Sequence, residues 1–364
     1  MTTALNQQQL NALNQTQLDS LEKEFDALRD SILSDIGEKD ARYIKGIVRT
    51  HRGLEIAGRV LLHFSLTPIG FAAGTLSLGA AKILENMEIG HNVLHGQYDW
   101  MNDDTLHSKT YEWDNVCDSQ SWKRTHNFEH HTFTNIIGKD RDYGYALLRL
   151  SDDTPWHPGY TFQLAYYGML SSLFEYGVAL HELETEKLRS GEIKLKDKIP
   201  FLKDFAKKSG RQIFKDYIFF PALAGPFALK VLAGNALANL IRNYWTSTVI
   251  FCGHFTENAQ TFTLAECENE SRGHWYYRQL LGSSNFEGGR WLHIMSGHLS
   301  YQIEHHLFPD IPAHRYSEMA PKVREICERH NLPYNTGSFW SQYKTVVKRI
   351  ARFSLPGKSA ALTA

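Results

Sequence analysis

The chain has 364 residues, with 39 Lys and Arg against 40 Asp and Glu, so its formal net charge is −1. This balance excludes the electrostatic footprint of a dedicated nucleic-acid-binding protein, and a hydrophobic fraction of 42% excludes a mostly disordered chain. The four cysteines form no Cys-x-x-Cys pair, which argues against a disulfide scaffold or a cysteine zinc site and is typical of a reducing compartment. More unusual are the 18 histidines and the 12% of aromatic residues.

The N-terminal stretch is polar and rich in Gln and Asn, so we expect no signal peptide there. Further along, apolar residues recur every three or four positions, which predicts an amphipathic helix. These residues are Leu18, Leu21, Phe25, Leu28 and Ile32. We therefore predict an N-terminal amphipathic helical segment within residues 1–50, with a packing or docking role.

Three stretches with few or no charges, at 60–81, 154–174 and 217–256, predict buried or membrane-spanning helices. A helix needs about 20 apolar residues to cross a bilayer. The Pro68-Ile69-Gly70 sequence predicts a turn between helices at 53–67 and 71–96, and Gly234 predicts a division of the last stretch. Each segment alone is a mediocre span, so buried helices in a large soluble α-helical protein are the alternative. Strand signals are few.

Three clusters of closely spaced histidines lie beside these stretches: His91 and His95; His126, His130 and His131; and Gln302, His305 and His306. On a helix, histidines four apart share one face, whereas adjacent histidines diverge by about 100°. A diverging pair cannot easily serve one ion, but it can reach two. The clusters therefore predict a dinuclear metal centre. They contain no cysteine, and imidazole ligands alone leave iron, copper and zinc open.

The sequences HNVLHGQ, HNFEHH and YQIEHHLFP, in this order, resemble the three histidine boxes of the membrane fatty acid desaturases. The resemblance extends over about residues 50–335. With a glutamine at its first position, the third box resembles that of the acyl-CoA and acyl-lipid branch, which includes the front-end desaturases. The resemblance implies an all-α integral membrane protein with about four transmembrane helices and a cytosolic helical cap. We assign the desaturase domain to 51–340 and a basic C-terminal tail to 341–364.

The resemblance also implies an activity and a set of cofactors. The family inserts a double bond into a fatty acyl chain, carried by CoA or a lipid, with O2 and two electrons from a carrier. The implied cofactors are two iron ions. The implied ligands are His91, His95, His126, His130, His131, His254, His305 and His306. Gln302 replaces a histidine of other branches and is expected to act through a water or not at all, while His298 is expected not to bind metal.

Nearby carboxylates and aromatic residues have more than one interpretation. Carboxylates orient metal-bound histidines by accepting their other ring N–H. The candidates are Asp140, Asp142, Glu304 and Asp310, with solvated charges as the alternative. Aromatic residues near the boxes either line an acyl tunnel or fill the core and the membrane interface. They are Tyr98, Trp100, Trp113, Trp122, Trp245, Trp275 and Trp291.

The electron source is predicted to be a separate protein. The stretch 156–160 only partly matches the HPGG haem motif, and the chain has neither an iron–sulfur cysteine pattern nor a GxGxxG nucleotide loop. We therefore expect no haem and no bound nucleotide, but an external ferredoxin or cytochrome b5 type carrier with a flavoprotein reductase. Such carriers are usually acidic, so a basic docking surface is expected, either at 194–215 or at Lys344, Lys348, Arg349 and Arg352.

Two other functions are compatible with these residues. A hydroxylase or monooxygenase on the same scaffold would share the hydrogen abstraction, although the Gln302-containing third box favours desaturation. A non-catalytic membrane metal carrier or haem-binding bundle would place its ligands within the spans, whereas these clusters precede or follow them. The expected location is a bacterial inner membrane, or the endoplasmic reticulum in a eukaryote, with the site on the cytoplasmic face.

Overall fold

The computed structural model describes residues 13–356, and within this range the chain forms helices without any β-strand. Two isolated β-bridges join loops, one between Ile136 and Phe262 and the other between Glu287 and Ser338. The prediction of an all-α fold is confirmed. Across residues 13–356, no helix combines the length and the hydropathy that crossing a bilayer requires.

Apart from single-turn continuations, the α-helices of the described residues are numbered in chain order. They are α1 (Gln15–Leu33), α2 (Glu38–Phe64), α3 (Pro68–Leu84), α4 (Ser119–Trp122), α5 (Gln163–Ser172), α6 (Phe174–Leu180), α7 (Thr185–Ser190), α8 (Ile199–Ile213), α9 (Ala228–His254), α10 (Arg272–Gly282), α11 (Arg290–Met295), α12 (Gln302–Leu307), α13 (Tyr316–Arg329) and α14 (Phe339–Phe353). Short 3₁₀ turns connect several of them.

Three helices continue as π-helix. The segment Glu85–His91 follows α3, Lys123–His130 follows α4, and Phe214–Phe219 follows α8. Each then returns to a single α-helical turn, at Asn92–Leu94, His131–Phe133 and Phe220–Leu223. π-Helical turns are rare in proteins, and those that occur are often found at functional sites. The first one ends at His91 and the second at His130, so each leads into a histidine cluster.

The predicted N-terminal amphipathic helix is confirmed as α1. Its buried residues are the five predicted ones, and they pack against α10 and α13. Asn14 caps the helix: its side chain accepts a hydrogen bond from Gln17 N, while the Gln17 side chain accepts one from Asn14 N. This reciprocal capping box satisfies two backbone donors and fixes the start of the helix.

Helices α2, α3 and α9 pack together. The first box follows the end of α3, and His254 is the last residue of α9. The predicted division at Gly234 is wrong, because α9 runs through it without interruption. At Gly234, α9 instead comes close to α2, because a Cβ there would lie 2.5 Å from Leu62 Cδ2. The predicted turn at Pro68 also shifts, since Pro68 begins α3 and Thr67 caps it. Proline suits a first helical turn, where its missing N–H has no partner to lose.

The C-terminal helix α14 packs against α9 and α5. The boundary predicted between residues 340 and 341 falls inside this helix, and its Val346 and Ile350 are fully buried. Residues 341–356 thus contribute to the core beside the histidines. Residues 357–364 of the predicted tail lie outside the described residues.

Candidate metal centre

The first box lies where the π-turn after α3 ends. The rings of His91 and His95 are 4.6 Å apart, as expected for histidines on one face. His91 Nδ1 is 3.1 Å from Asn92 Oδ1, and the Asn92 amide donates in turn to Glu88 O at 3.0 Å. The other ring nitrogen, His91 Nε2, has no hydrogen-bond partner among the described residues.

The second box lies on the π-turn after α4, where two carboxylates contact its histidines. Asp142 Oδ2 is 2.9 Å from His126 Nδ1, and both carboxylate oxygens of Asp140 are 3.0 Å from His130 Nδ1. Asp142 Oδ1 also lies 3.0 Å from His181 Nδ1. The predicted orienting role of Asp140 and Asp142 therefore matches the geometry.

The third box lies on α12 and meets the end of α9. His306 Nδ1 is 3.0 Å from Gln279 Oε1, and its Nε2 is 3.1 Å from His254 Nε2. The Gln302 amide Nε2 is 2.9 Å from the same His254 nitrogen. His305 Nδ1 lies 3.4 Å from Tyr316 Oη. Gln302 thus contacts a predicted ligand.

The structure brings the eight predicted ligands together in three overlapping sets. The first group is His91, His95, His126 and His305, and the second is His130, His254 and His306. His131 joins His305 and His306 in a further set. Within each set the nitrogen atoms lie within 4.8 Å of one another. His305 thus belongs to the first group and His306 to the second, as the spacing predicts for a dinuclear centre, and both also lie beside His131.

Several ring nitrogens of these histidines have no hydrogen-bond partner among the described residues. They are Nε2 of His91, His95, His126 and His305, and both ring nitrogens of His131. An unpaired buried polar atom ordinarily costs about 1–3 kcal/mol, so a converging set of them needs an explanation. Metal ions supply one, because imidazole is a common ligand of iron, copper and zinc. The donor set fits a pair of metal ions.

Electrostatics keep most of these rings neutral, as metal ligation requires. Burial, together with neighbouring histidines, holds the pKa of His131, His305 and His306 well below the ordinary value. Burial also lowers the pKa of His126, and the hydrogen bond to Asp142 restores it only in part. His130 differs: burial lowers its pKa, but the Asp140 and Asp142 carboxylates outweigh this and leave it raised.

Two of the four candidate carboxylates do not orient a histidine, contrary to expectation. Glu304 accepts hydrogen bonds from Asn285 Nδ2 at 2.9 Å and Tyr334 Oη at 2.7 Å. Asp310 pairs with Arg29. Both carboxylates belong to the packing around the third box. Glu304 and Asp310 are close to His305 and His306 in sequence, but neither carboxylate is hydrogen-bonded to an imidazole ring.

Other residues around the centre were not predicted. Gln279, Asn92 and Tyr316 contact box histidines, and His181 contacts Asp142. Sequence spacing does not identify these residues. They come from different segments of the chain and do not repeat at a helical interval with the box histidines. His298 lies outside these histidine groups, and its Nδ1 is 3.0 Å from Glu88 Oε2.

A narrow cleft, with about 50 Å³ open to a water-sized molecule, adjoins the histidines and includes His91, His126, His130 and His254 in its lining. Of the seven aromatic residues considered for a tunnel, Trp113 and Trp122 line this cleft. The Trp122 indole stacks on His126 with ring centroids 4.4 Å apart. The other five do not line it. Trp291, for example, is 76% exposed.

A family model described as fatty acid desaturase matches residues 66–338, a range that includes every histidine of the two groups. The chain belongs to the fatty acid desaturase family. The desaturase is 47% identical over 350 residues to the NADPH-dependent stearoyl-CoA 9-desaturase of Mycobacterium tuberculosis, covering 95% of this chain and 82% of that protein.

More distant relatives extend the same assignment. The desaturase is 24% identical over 288 residues to the sn-1 linoleoyl-lipid 6-desaturase of Arthrospira platensis, covering 77% of this chain and 73% of that protein. It is 25% identical over 244 residues to human fatty acid desaturase 3, covering 64% and 50% respectively. The protein is therefore an oxidoreductase of lipid metabolism, a fatty acid desaturase, with histidine clusters able to bind metal.

Proposed function

We propose that this desaturase uses a di-iron centre to insert a double bond into a saturated long-chain acyl-CoA, with O2 and two electrons from a separate carrier. The observation that carries the proposal is the pair of histidine groups with unpaired, converging nitrogens beside a buried cleft. The eight predicted histidines would hold the metals. Bound iron supplies the oxidant that takes hydrogen from an unactivated methylene, which amino-acid side chains cannot do.

Atoms and electrons balance in the overall reaction. Two C–H bonds of the acyl chain break and one C=C bond forms, while O2 and two protons accept two electrons from the carrier and two from the substrate. The products are the unsaturated acyl chain and two water molecules. A hydroxylase would instead retain one oxygen atom on the chain.

The protein residues have orienting and shielding roles. Asp142 accepts a hydrogen bond from Nδ1–H of His126, and Asp140 accepts one from Nδ1–H of His130. Each bond leaves the opposite ring nitrogen, Nε2, free to bind metal. Gln279 does the same for His306. The Trp122 indole covers one side of His126, which helps to exclude water from the site.

The choice of acyl-CoA as substrate, and of position 9 for the double bond, rests on the relative at 47% identity, whose name states both. Its name also states NADPH dependence, which a flavoprotein reductase feeding the carrier would account for. The test is turnover of stearoyl-CoA by purified protein with a defined ferredoxin or cytochrome b5, its reductase and NADPH. Mass spectrometry with double-bond localisation should find an alkene at position 9.

The outcomes of this test separate the alternatives. A hydroxylated product would establish the hydroxylase function, and metal binding without turnover of any acyl substrate would favour a metal carrier. A lipid-linked acyl chain, supplied in parallel, distinguishes the acyl-lipid substrate from the acyl-CoA. Turnover with NADPH and no carrier would overturn the separate-carrier proposal.

We also propose that α2, α3, α9 and the consecutive pair α5 and α6 lie in a membrane, as about four spans with the boxes and both termini on the cytoplasmic side. The support is an inverted polarity: Arg59, Lys82 and Arg242 are buried, at 8%, 6% and 2% exposure. Large apolar side chains point outwards instead, with Phe64 78% and Leu229 80% exposed. Exposed apolar surface of this kind is typical of contact with lipid. Release by carbonate without detergent would contradict it.

For the carrier, we propose docking on the basic segment 194–215. Lys203 and Lys207 of α8 are exposed, whereas Lys208 is ion-paired with Glu112. The alternative patch near the C-terminus is weaker, because Arg349 donates hydrogen bonds to backbone carbonyls, including Leu150 O at 2.9 Å. The exposed lysines of α8 remain available to an acidic partner.

A further inference from the structure

The cleft beside the histidines follows one face of α9. Its α9 residues are His254, Ile250, Thr246 and the adjacent Asn243 and Arg242, so they recur about every four positions and share that face. Arg242 lies twelve positions before His254, which corresponds to roughly 18 Å of helix. The cleft therefore leads from the metal centre deep between α9 and α6.

An ion pair forms the wall at the far end of the cleft. The Arg242 guanidinium contacts the Glu175 carboxylate, and the two side chains are only 2% and 9% exposed. The same two residues also line a second, very small cavity of about 10 Å³, with Asp216, Tyr217 and Asn239 among its other walls. The Glu175–Arg242 pair thus separates the cleft from a smaller polar cavity.

Neighbouring side chains hold this wall in place. Arg242 Nε donates to Asn243 Oδ1 at 3.1 Å, and Asn243 Nδ2 donates to Ser172 O at 2.8 Å. Both side chains are long and line the cleft as well as the smaller cavity, so their bulk closes the passage between the two. The methyl end of an acyl chain should therefore stop at the pair.

We propose that the Glu175–Arg242 pair is the end stop of the acyl cleft and limits the chain length beyond the carbons that react. The inference rests on the proposed function, because it requires the cleft to hold the acyl chain. Neither residue contacts the histidine centre, so both determine specificity rather than catalysis. Removing both side chains would join the two cavities, whereas removing their charges at similar volume would leave the stop in place.

The test compares three double variants on saturated acyl-CoAs shorter and longer than stearoyl-CoA. Glu175→Ala/Arg242→Ala should shift the optimum of kcat/KM to chains at least two carbons longer. Glu175→Gln/Arg242→Met keeps most of the volume and should not shift it. Asp26→Ala/Arg272→Ala removes an ion pair between α1 and α10 that lines neither cavity, and it should also leave the profile unchanged.

A filling variant keeps the test decisive if the double alanine variant does not fold. Thr246→Phe narrows the cleft before the pair and should reduce turnover of the longest chains at least tenfold while shorter chains are still desaturated. An unchanged chain-length profile in the folded variants would overturn the end stop. Failure of the unsubstituted protein to desaturate any acyl-CoA would instead overturn the proposed function.

Discussion

His305 and His306 are adjacent in the chain, yet their rings stand at 88° to one another with centroids 5.5 Å apart. His305 faces the group that contains His91, and His306 faces the group that contains His254. One short helix thus supplies a ligand candidate to each side of the centre. This is how the third box can connect two metal ions, because its backbone spacing sets the angle between the rings.

The first prediction concerns the box histidines. His131→Ala and His305→Ala should abolish activity and reduce iron from about two ions per chain, because they remove ligands while leaving the core intact. His107→Ala and His330→Ala should retain activity. His330 loses a hydrogen bond to Glu24 Oε1 at 2.7 Å, and it lies outside the histidine sets of the centre. Elemental analysis and turnover measure both effects. Four variants with the same behaviour would refute the assignment.

A second prediction tests the orienting carboxylates. Asp142→Asn should weaken iron binding roughly 10–100-fold, because the amide does not hold His126 in the required tautomer as well as a carboxylate does. Titration of metal-free protein with ferrous iron measures the change. Asp310→Asn is the matched control, since Asp310 also follows a box but pairs with Arg29. Equal affinities for both variants would show that Asp142 does not orient the histidine.

The third prediction concerns the approach of the first and third boxes. Gly297 has φ of 63°, and a Cβ there would lie 2.4 Å from the Met87 carbonyl oxygen. Gly297→Ala should therefore lower both activity and thermal stability, because the clash forces backbone apart near the centre. Gly191→Ala is the control: its φ is 78°, but no described atom lies within 4 Å of the added Cβ. Similar losses in both variants would attribute the effect to backbone strain alone.

The fourth prediction is a pH dependence of stability through His314. Burial lowers the pKa of His314 to about 4, although Asp40, with Oδ1 2.8 Å from Nε2, raises it in part. As pH falls below the ordinary value of 6.5, the unfolded state takes up the proton first. Stability should therefore decline between pH 6.5 and about 4, by up to about 3 kcal/mol.

Thermal unfolding in detergent, followed across this pH range, measures the effect. His314→Asn should show a shallower decline than the unsubstituted protein, because the titrating ring is gone. His157→Asn replaces an exposed histidine and should leave the slope unchanged. Parallel curves for the unsubstituted protein and His314→Asn would contradict the prediction.

The fifth prediction tests the docking surface. Lys203→Glu/Lys207→Glu should raise the KM for an acidic carrier several-fold at low salt, and less at high salt, where screening already weakens the attraction. Reconstituted turnover across ionic strength measures it. Lys344→Glu/Lys348→Glu, on the alternative patch, is the control. A larger effect of that control would move the docking site to α14.

Regular spacing made several features predictable. The i, i+4 and adjacent histidines define directions on a helix regardless of what packs around it, so the two-sided centre could be inferred from His91, His95 and the other box residues. The amphipathic period of α1 likewise predicts which of its faces is buried, because the same residues must turn towards the core.

Long-range packing decided the rest. Asp142 and Glu304 are both carboxylates close in sequence to box histidines, yet only Asp142 contacts one, because the fold of distant segments determines which ring nitrogen each can reach. Gly234 suggests a helix break by composition, but in the tertiary structure it permits contact with Leu62. The clustered histidines and the amphipathic α1 were thus determined by the sequence itself, through periodicity along single helices, whereas His254 was implied only by the resemblance to the desaturases. The orienting partners and the end of the cleft were decided only by the tertiary structure, because they are contacts between segments far apart in the chain.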